Sequence, residues 1–145
     1  MEPFIFKSKV MWSMVDANMH LRHSAYADFA AQARLELLDQ LGFTTAQFKK
    51  YQIGPILFRE ELLYLKEVPP NDSITMTCEL SKWNEAKGFW SFTQELFRSD
   101  GVKAAIIHVD GAWLDLTKRK LAVLPEELTR MFLTVNKTKD FVSVE

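Results

Sequence analysis

Residues 15–26, VDANMHLRHSAY, place an Asp, an Asn, two His and an Arg within one short segment. Carboxylates have a reference pKa of about 4 and are ionised at pH 7, so Asp16 could attack a carbonyl carbon or act as a general base on water without an activating partner. Asn18 could position water or the carboxylate, and His20 could orient the carboxylate or donate a hydrogen bond to the loop. The segment is therefore a candidate catalytic loop.

A helix that begins beside this loop would stabilise negative charge developing on the carbonyl oxygen. The sequence predicts a helix over residues 24–41, with Ser24 as N-cap and Gly42 directly after its end. Unpaired N–H groups in a first helical turn stabilise an oxyanion by about 3 kcal/mol each. The backbone of His23 or Ser24 is the candidate donor, because the loop must turn onto the helix start and can bring Asp16 and His23 to one small volume.

The same loop residues could have a purely structural role or bind a metal. Asp and Asn are common turn formers, so Asp16 and Asn18 could simply shape the loop. His20 and His23 could suggest a metal, but a closed site usually needs four ligands and no Cys or further His lies nearby in sequence. The sequence predicts no metal and no cofactor.

Three further residues could bind ligands, but we favour a structural role for each. Arg34 lies beside the apolar stripe of the helix and could bind a carboxylate or phosphate, although Arg side chains often extend along subunit interfaces. His108 and Asp110 fall on one face of a predicted strand and resemble a dyad, but most such pairs are solvated or interfacial. None of the three joins the predicted catalytic set.

The elements around the loop follow from hydrophobic periodicity. Residues 4–12 alternate as a strand, with Phe4, Phe6, Val10 and Trp12 on its buried face. The helix carries one apolar stripe and a second apolar flank (Ala27, Ala31, Leu35 and Leu38), so we expect it to be covered on more than one side. A short segment follows at residues 44–50.

Four strands are predicted after the helix, at residues 56–68, 73–83, 88–98 and 102–116. The connections PPND, NEAKG and SDG have lengths that suit antiparallel hairpins. PEELTRMF, from Pro125, indicates a turn or two of helix. The predicted order is a strand, a long helix and a four-strand meander, in one α+β domain over residues 1–145.

Composition excludes several classes of function. The formal net charge is −1 with both signs interspersed, so nucleic acid is not an expected partner. The N-terminus lacks the order of a signal peptide, and no run of eighteen apolar residues occurs, so we expect a cytoplasmic protein without a membrane span. The single cysteine, Cys78, lies in an alternating run and is expected to be buried and structural.

The junction segment resembles the acyl-thioester hydrolases of the hotdog fold, in the 4-hydroxybenzoyl-CoA thioesterase-like superfamily. Their loop has the form D-x-x-x-H-V-N-N-x-x-Y before a helix that ends near A-R; here it is DANMHLRHSAY, followed by Ala33-Arg34. Asp16, Asn18 and His20 also reproduce the D-x-N-x-H of plant-type acyl-carrier-protein thioesterases. Downstream, PPNDSITMTCEL, SDG and WLDLTKRKLAVLP resemble the turn, hairpin and last strand of the family.

The resemblance implies a curved antiparallel sheet of about five strands around one long central helix. It implies a hydrolase that releases a carboxylic acid, typically a fatty acid, from acyl-CoA or acyl carrier protein. Asp16, Asn18 and His20 would be catalytic, and His23, Ser24 and Tyr26 would bind substrate. Subunits of this fold pair edge to edge with the site across the interface, which implies a homodimer or homotetramer.

Departures from the family pattern keep a second function open. Met19 replaces the usual Gly before the His, Arg22-His23 replaces the usual Asn pair, and Gln32 replaces a frequent Glu. The alternative is a non-catalytic acyl-thioester-binding module. A hotdog hydratase is disfavoured, because its Asp and His are separated by five residues, whereas three separate Asp16 from His20.

Overall fold

A computed structural model describes residues 3–144 and contains a sheet of eight strands with three α-helices. The strands are β1 (Ile5–Lys9), β2 (Ile53–Tyr64), β3 (Ser73–Thr77), β4 (Glu79–Asn84), β5 (Phe89–Phe97), β6 (Lys103–Asp115), β7 (Lys120–Ala122) and β8 (Lys137–Val144). The helices are α1 (His23–Gln40), α2 (Thr45–Tyr51) and α3 (Glu126–Phe132). None of these helices has the length and hydropathy needed to cross a lipid bilayer.

The sheet is built around β5, which pairs with β3 and β4 on one side and with β6 on the other. β6 also pairs with β2 and β7, β1 pairs with β3, and β8 runs parallel to β4. β2 pairs with β6 alone and is an edge strand among the described residues. The predicted meander is therefore wrong at its first step, because β5 and β6 lie between β2 and β3. The NEAKG and SDG hairpins are confirmed.

The sheet has eight strands rather than about five. The predicted strand at residues 73–83 is interrupted at Cys78, which separates β3 from β4. β7 and β8 were not predicted, because β7 is short and most residues of β8 are exposed, so neither has a strong apolar alternation. Cys78 is buried as expected, and burial raises the pKa of its thiol well above the ordinary value.

Local burial corrects the predicted first strand. Phe4, Phe6 and Val10 are buried, but Trp12 is 72% exposed because the chain leaves the strand and forms a 3₁₀ turn at Trp12–Met14. The apolar alternation continues in sequence beyond the last ladder pair at Lys9. The hydrophobic pattern of the sequence therefore predicted a buried Trp12, whereas its side chain is exposed.

Helix α1 is the longest helix of the described residues and buries one face against the sheet. Its buried residues are Ala25, Tyr26, Phe29, Ala30, Ala33, Leu37 and Leu38. The second flank is only partly covered within one chain: Leu38 is buried, whereas Ala31 is exposed and Leu35 is 39% exposed. The helix ends as predicted before Gly42, whose φ of 90° is readily adopted by glycine.

The start of α1 differs from the prediction. The N-cap is Arg22, without a side-chain cap, and Ser24 lies inside the first turn. Ser24 Oγ instead accepts a hydrogen bond from Arg22 Nε at 3.0 Å. The backbone N–H of Arg22 donates to the Met14 carbonyl at 2.8 Å, which places the N-cap two residues earlier than the predicted Ser24.

Gln94 joins α1 to the sheet from a fully buried position on β5. Its Nε2 donates to the Ala30 carbonyl at 3.0 Å, and its Oε1 accepts from Arg34 Nη1 at 2.9 Å. Buried polar groups are costly unless they are hydrogen-bonded. The amide thus favours one position of the helix over the sheet.

We expect Gln94→Leu to lower the free energy of unfolding by about 1–3 kcal/mol, because it leaves the half-buried Arg34 without its hydrogen-bond partner. Urea unfolding measures this change. Gln40→Leu, at the exposed end of α1, is the control and should change stability little. The double variant Arg34→Met/Gln94→Leu should recover part of the loss, and a loss that is purely additive would contradict the coupling of these two side chains.

Candidate active site

The loop before α1 is a compact turn closed by its own backbone. Val15 and Leu21 form an antiparallel bridge, and the N–H of Asp16 donates to the His20 carbonyl at 2.9 Å. Met19 has a φ of 62°, in the left-handed region, at the position where the related families usually have Gly. Met19 therefore adopts the left-handed backbone conformation that Gly favours, although its residue type differs from the family pattern.

The Asp16 carboxylate uses one oxygen to shape this turn. Oδ1 accepts hydrogen bonds from the backbone N–H of Asn18 at 2.9 Å and of His20 at 3.3 Å. Oδ2 takes part in none of the hydrogen bonds found among residues 3–144. Asp16 thus forms the turn that its residue type favours, while its second oxygen remains available for other contacts.

A polar cavity of about 280 Å³ joins the loop, the start of α1 and the end of β2. The predicted site residues that line it are Asp16, His20, His23 and Tyr26; the other lining residues are Leu21, Tyr64, Leu65, Lys66 and Glu67. Two predicted residues do not line it. The Asn18 side chain is exposed, and Ser24 Oγ is bonded to Arg22.

Tyr64, at the end of β2, was not predicted as a site residue. Its hydroxyl donates to the His23 carbonyl at 3.3 Å, and its ring lies edge-on to Tyr26 with centroids 5.1 Å apart. The contact joins positions 41 residues apart, so no local pattern could have revealed it. The only signal in the sequence was an aromatic residue within the predicted strand 56–68.

The charges of the cavity favour a protonated Tyr26. Burial, with the nearby Tyr64, Asp16 and Glu67, raises the pKa of the Tyr26 hydroxyl above its ordinary value. The hydrogen bond from its own backbone N–H, together with the nearby His20, lowers the pKa of Glu67. At neutral pH the cavity therefore contains a neutral phenol and an anionic Glu67.

The first turn of α1 presents free backbone donors beside this cavity. The N–H of Ala25 donates to the Arg22 carbonyl at 3.0 Å, whereas no backbone hydrogen bond of the described residues comes from the N–H of His23 or Ser24. This is the ordinary state of a helix N-terminus without a side-chain cap. The donors predicted from the sequence are present although the predicted cap is not.

An apolar cavity of about 250 Å³ lies farther along α1. Its wall is formed by Ala31, Arg34, Leu35 and Leu38 of α1, by Pro55, Ile56 and Leu57 of β2, and by Trp90, Phe92, Trp113 and Phe132. Tyr26 and Arg34 are eight positions apart, or about 12 Å along the helix at 1.5 Å per residue. The polar cavity therefore lies beside the start of α1, and the apolar cavity lies beside a later part of the same helix.

Trp90 forms part of the floor of the apolar cavity because Gly111 leaves room for its ring. A Cβ atom at Gly111 would clash with the Ile56 carbonyl oxygen and with the Trp90 indole. The indole Nε1 donates to the Ala112 carbonyl at 3.2 Å, and the ring centroid lies 5.5 Å from that of Phe92. Gly111 does not have a positive φ, so it is close packing, and not backbone conformation, that requires a glycine at this position.

His108 and Asp110 lie away from the Asp16 loop. They line a different cavity of about 440 Å³, where Thr93 Oγ1 is 3.1 Å from His108 Nδ1 and Ser91 Oγ donates to Asp110 at 2.7 Å. They alternate along β6 with the buried Ile107 and Val109, so they face the opposite side of the sheet. In residues 3–144, no group of three or more His, Cys, Asp or Glu is arranged to hold a metal ion.

The family model of the thioesterase-like superfamily matches residues 10–132. The chain belongs to this superfamily. None of the curated protein sequences compared with the chain gives a significant match. The resemblance of the junction segment is therefore confirmed at the level of the family.

Solved structures share the fold at low identity. A Staphylococcus aureus protein in complex with CoA matches with a TM-score of 0.87 and 16% identity, over 95% of this chain and 87% of its own. A 1,4-dihydroxy-2-naphthoyl-CoA thioesterase from Synechocystis matches with a TM-score of 0.79 and 11% identity, over 90% and 95%. A probable thioesterase from Escherichia coli matches with a TM-score of 0.76 and 20% identity, over 92% and 99%.

We expect Gly111→Ala to destabilise the protein by about 1–3 kcal/mol, because the new methyl group must displace the Trp90 ring or the β2 backbone. Urea unfolding, followed by tryptophan fluorescence, measures the effect. Gly54→Ala is the matched control, since a Cβ there meets Leu116 at an ordinary 3.5 Å. Equal stability changes in the two variants would contradict the packing assigned to Gly111.

Proposed function

We propose that this chain hydrolyses acyl thioesters of coenzyme A or acyl carrier protein, with Asp16 as nucleophile or general base. The observation that carries the proposal is the polar cavity in which Asp16 and the first turn of α1 meet. The family assignment supports thioester hydrolysis, and the S. aureus structure with CoA supports coenzyme A as carrier.

The general-base route needs only groups around this cavity. Asp16 takes a proton from water, the resulting hydroxide attacks the thioester carbonyl carbon, and the carbonyl oxygen becomes an oxyanion. The N–H of His23 or Ser24 donates to that oxyanion. The carbon–sulfur bond then breaks, and the thiolate takes the proton from Asp16. In the nucleophilic route, the Asp16 carboxylate attacks the carbonyl carbon, the carbon–sulfur bond breaks, and the thiolate leaves behind an acyl anhydride. Water then hydrolyses the anhydride, which releases the carboxylic acid, regenerates the Asp16 carboxylate and supplies the proton for the thiolate.

Other cavity residues would position the reactants. Tyr26, kept protonated by burial, can donate a hydrogen bond to the substrate, and His20 can orient the carboxylate or bind water. The exposed Asn18 contributes its backbone N–H to the Asp16 turn, so its proposed catalytic part is to hold the carboxylate in place. The acyl group would lie in an apolar cavity.

A second copy of the chain would bring the two kinds of cavity together. Among residues 3–144, β2 pairs with β6 alone and so has a free edge. Tyr64 at its end belongs to the polar cavity, and Pro55 near its start belongs to the apolar cavity. Antiparallel pairing of two β2 strands places the end of one beside the start of the other. We therefore propose a homodimer, alone or within a tetramer, with each site shared between subunits.

One observation favours the non-catalytic alternative. The Asp16 carboxylate makes two backbone hydrogen bonds in the turn, which is the structural role that Asp commonly has. A binding module would retain that turn and bind acyl thioesters without turnover. Activity measurements on variants of Asp16 separate the two functions.

We expect Asp16→Asn to lower kcat for acyl-CoA hydrolysis about 10²- to 10⁴-fold, because the amide keeps an oxygen for the turn and removes the carboxylate charge. Asp16→Ala should also lose activity and should lower the melting temperature, since both turn hydrogen bonds are lost. Asp39→Asn, an exposed carboxylate of α1, is the charge-matched control. Wild-type turnover in Asp16→Asn would reject the catalytic role.

We expect a molecular mass of at least twice 16.8 kDa by light scattering. Leu63→Glu adds charge at an exposed apolar position of β2 and should weaken association and activity together; Leu121→Glu, at an exposed position of β7, should change neither. A fully active wild-type monomer would contradict the shared site.

A further inference from the structure

Arg34 places a positive charge on the wall of the apolar cavity. Its one hydrogen bond found among residues 3–144 goes from Nη1 to the neutral amide of Gln94, and none of their ion pairs includes it. A guanidinium has five N–H donors. Most of its donor capacity is therefore unused by the residues described.

Burial makes this isolated charge costly. Desolvation lowers the pKa of Arg34, against the opposing effects of Cys78 and Glu60. The Cys78 thiol is neutral because burial raises its pKa, and Glu60 lies exposed on β2 beyond ion-pair distance. The cost of a cation in apolar surroundings falls when an anion pairs with it.

The remaining wall of the cavity defines what that anion could be attached to. Apart from Arg34, every lining residue is apolar, and four of the eleven are aromatic. Such a wall binds methylene groups or a ring, whereas a guanidinium pairs best with a carboxylate through two parallel hydrogen bonds. The complementary ligand is an apolar chain that ends in a carboxylate.

We propose that Arg34 determines specificity by binding a carboxylate at the far end of the acyl group, so that the preferred substrates are thioesters of dicarboxylic acids. This inference rests on the proposed thioester hydrolysis. It predicts a preference that an entirely apolar acyl pocket would reverse, because a free carboxylate loses its hydration there without gaining a partner.

The test compares matched CoA thioesters of equal chain length. Adipyl-, suberyl- and sebacyl-CoA are assayed against hexanoyl-, octanoyl- and decanoyl-CoA, for wild type, Arg34→Lys and Arg34→Met. For at least one length, kcat/KM of the wild type should favour the dicarboxylic substrate. Arg34→Met should reduce this ratio by at least about tenfold, the size of one lost charge-assisted hydrogen bond, and Arg34→Lys should reduce it less.

Two controls separate specificity from stability. Arg130→Met removes an exposed charge from α3 and should leave the ratio unchanged. The double variant Arg34→Met/Gln94→Leu removes both partners of the buried hydrogen bond, so it tests the ratio in a protein without an orphaned amide. Calorimetric binding of suberyl-CoA and octanoyl-CoA to each protein adds a measurement that does not need turnover.

The outcomes distinguish this inference from the proposed function. Hydrolysis with equal or higher kcat/KM for the neutral chains in wild type overturns the role of Arg34 and leaves thioester hydrolysis standing. Binding of suberyl-CoA that depends on Arg34, without turnover, supports the carboxylate site and rejects catalysis. Absence of both turnover and Arg34-dependent binding overturns both.

Discussion

The hydrogen bonds of one buried amide fix the position of the longest helix over the sheet. Gln94 donates to the backbone of Ala30 and accepts from the side chain of Arg34, so both its polar ends are satisfied only when α1 lies in one place. Apolar packing alone would tolerate small shifts of the helix, whereas loss of a buried hydrogen bond is costly. Both cavities include residues of α1, and their shapes therefore depend on this contact.

The positions of the two cavities separate polar side chains from apolar ones along the helix. Charged and hydrogen-bonding groups gather at the start of α1, where helix N–H donors are free, while aromatic side chains collect farther along the helix. The polar cavity is open to solvent, whereas the apolar cavity is lined by rings from β5, β6 and α3. In the proposed function, the separation leaves Asp16 accessible to water and gives an acyl group an apolar surface to bind.

Local signals in the sequence predicted the loop, the long helix and most of the strands. The Asp16 turn, the end of α1 before Gly42 and two hairpins depend on nearby residues, so pattern and residue type were sufficient. The N-cap was wrong because a hydrogen bond from the Arg22 backbone to Met14 starts the helix before Ser24. The pairing of β2 with β6 and the contact of Tyr64 with His23 join distant positions, which periodicity does not encode.

The close contact between Gly111 and Trp90 restricts how the apolar cavity can change during evolution. Any larger residue at 111 meets both a backbone oxygen and an indole, so the deep end of the cavity accepts few single replacements. Leu35 and Leu57, by contrast, are partly exposed at its rim and can change size without moving a strand. Relatives should therefore differ first at the entrance of this cavity, while its aromatic base is inherited unchanged.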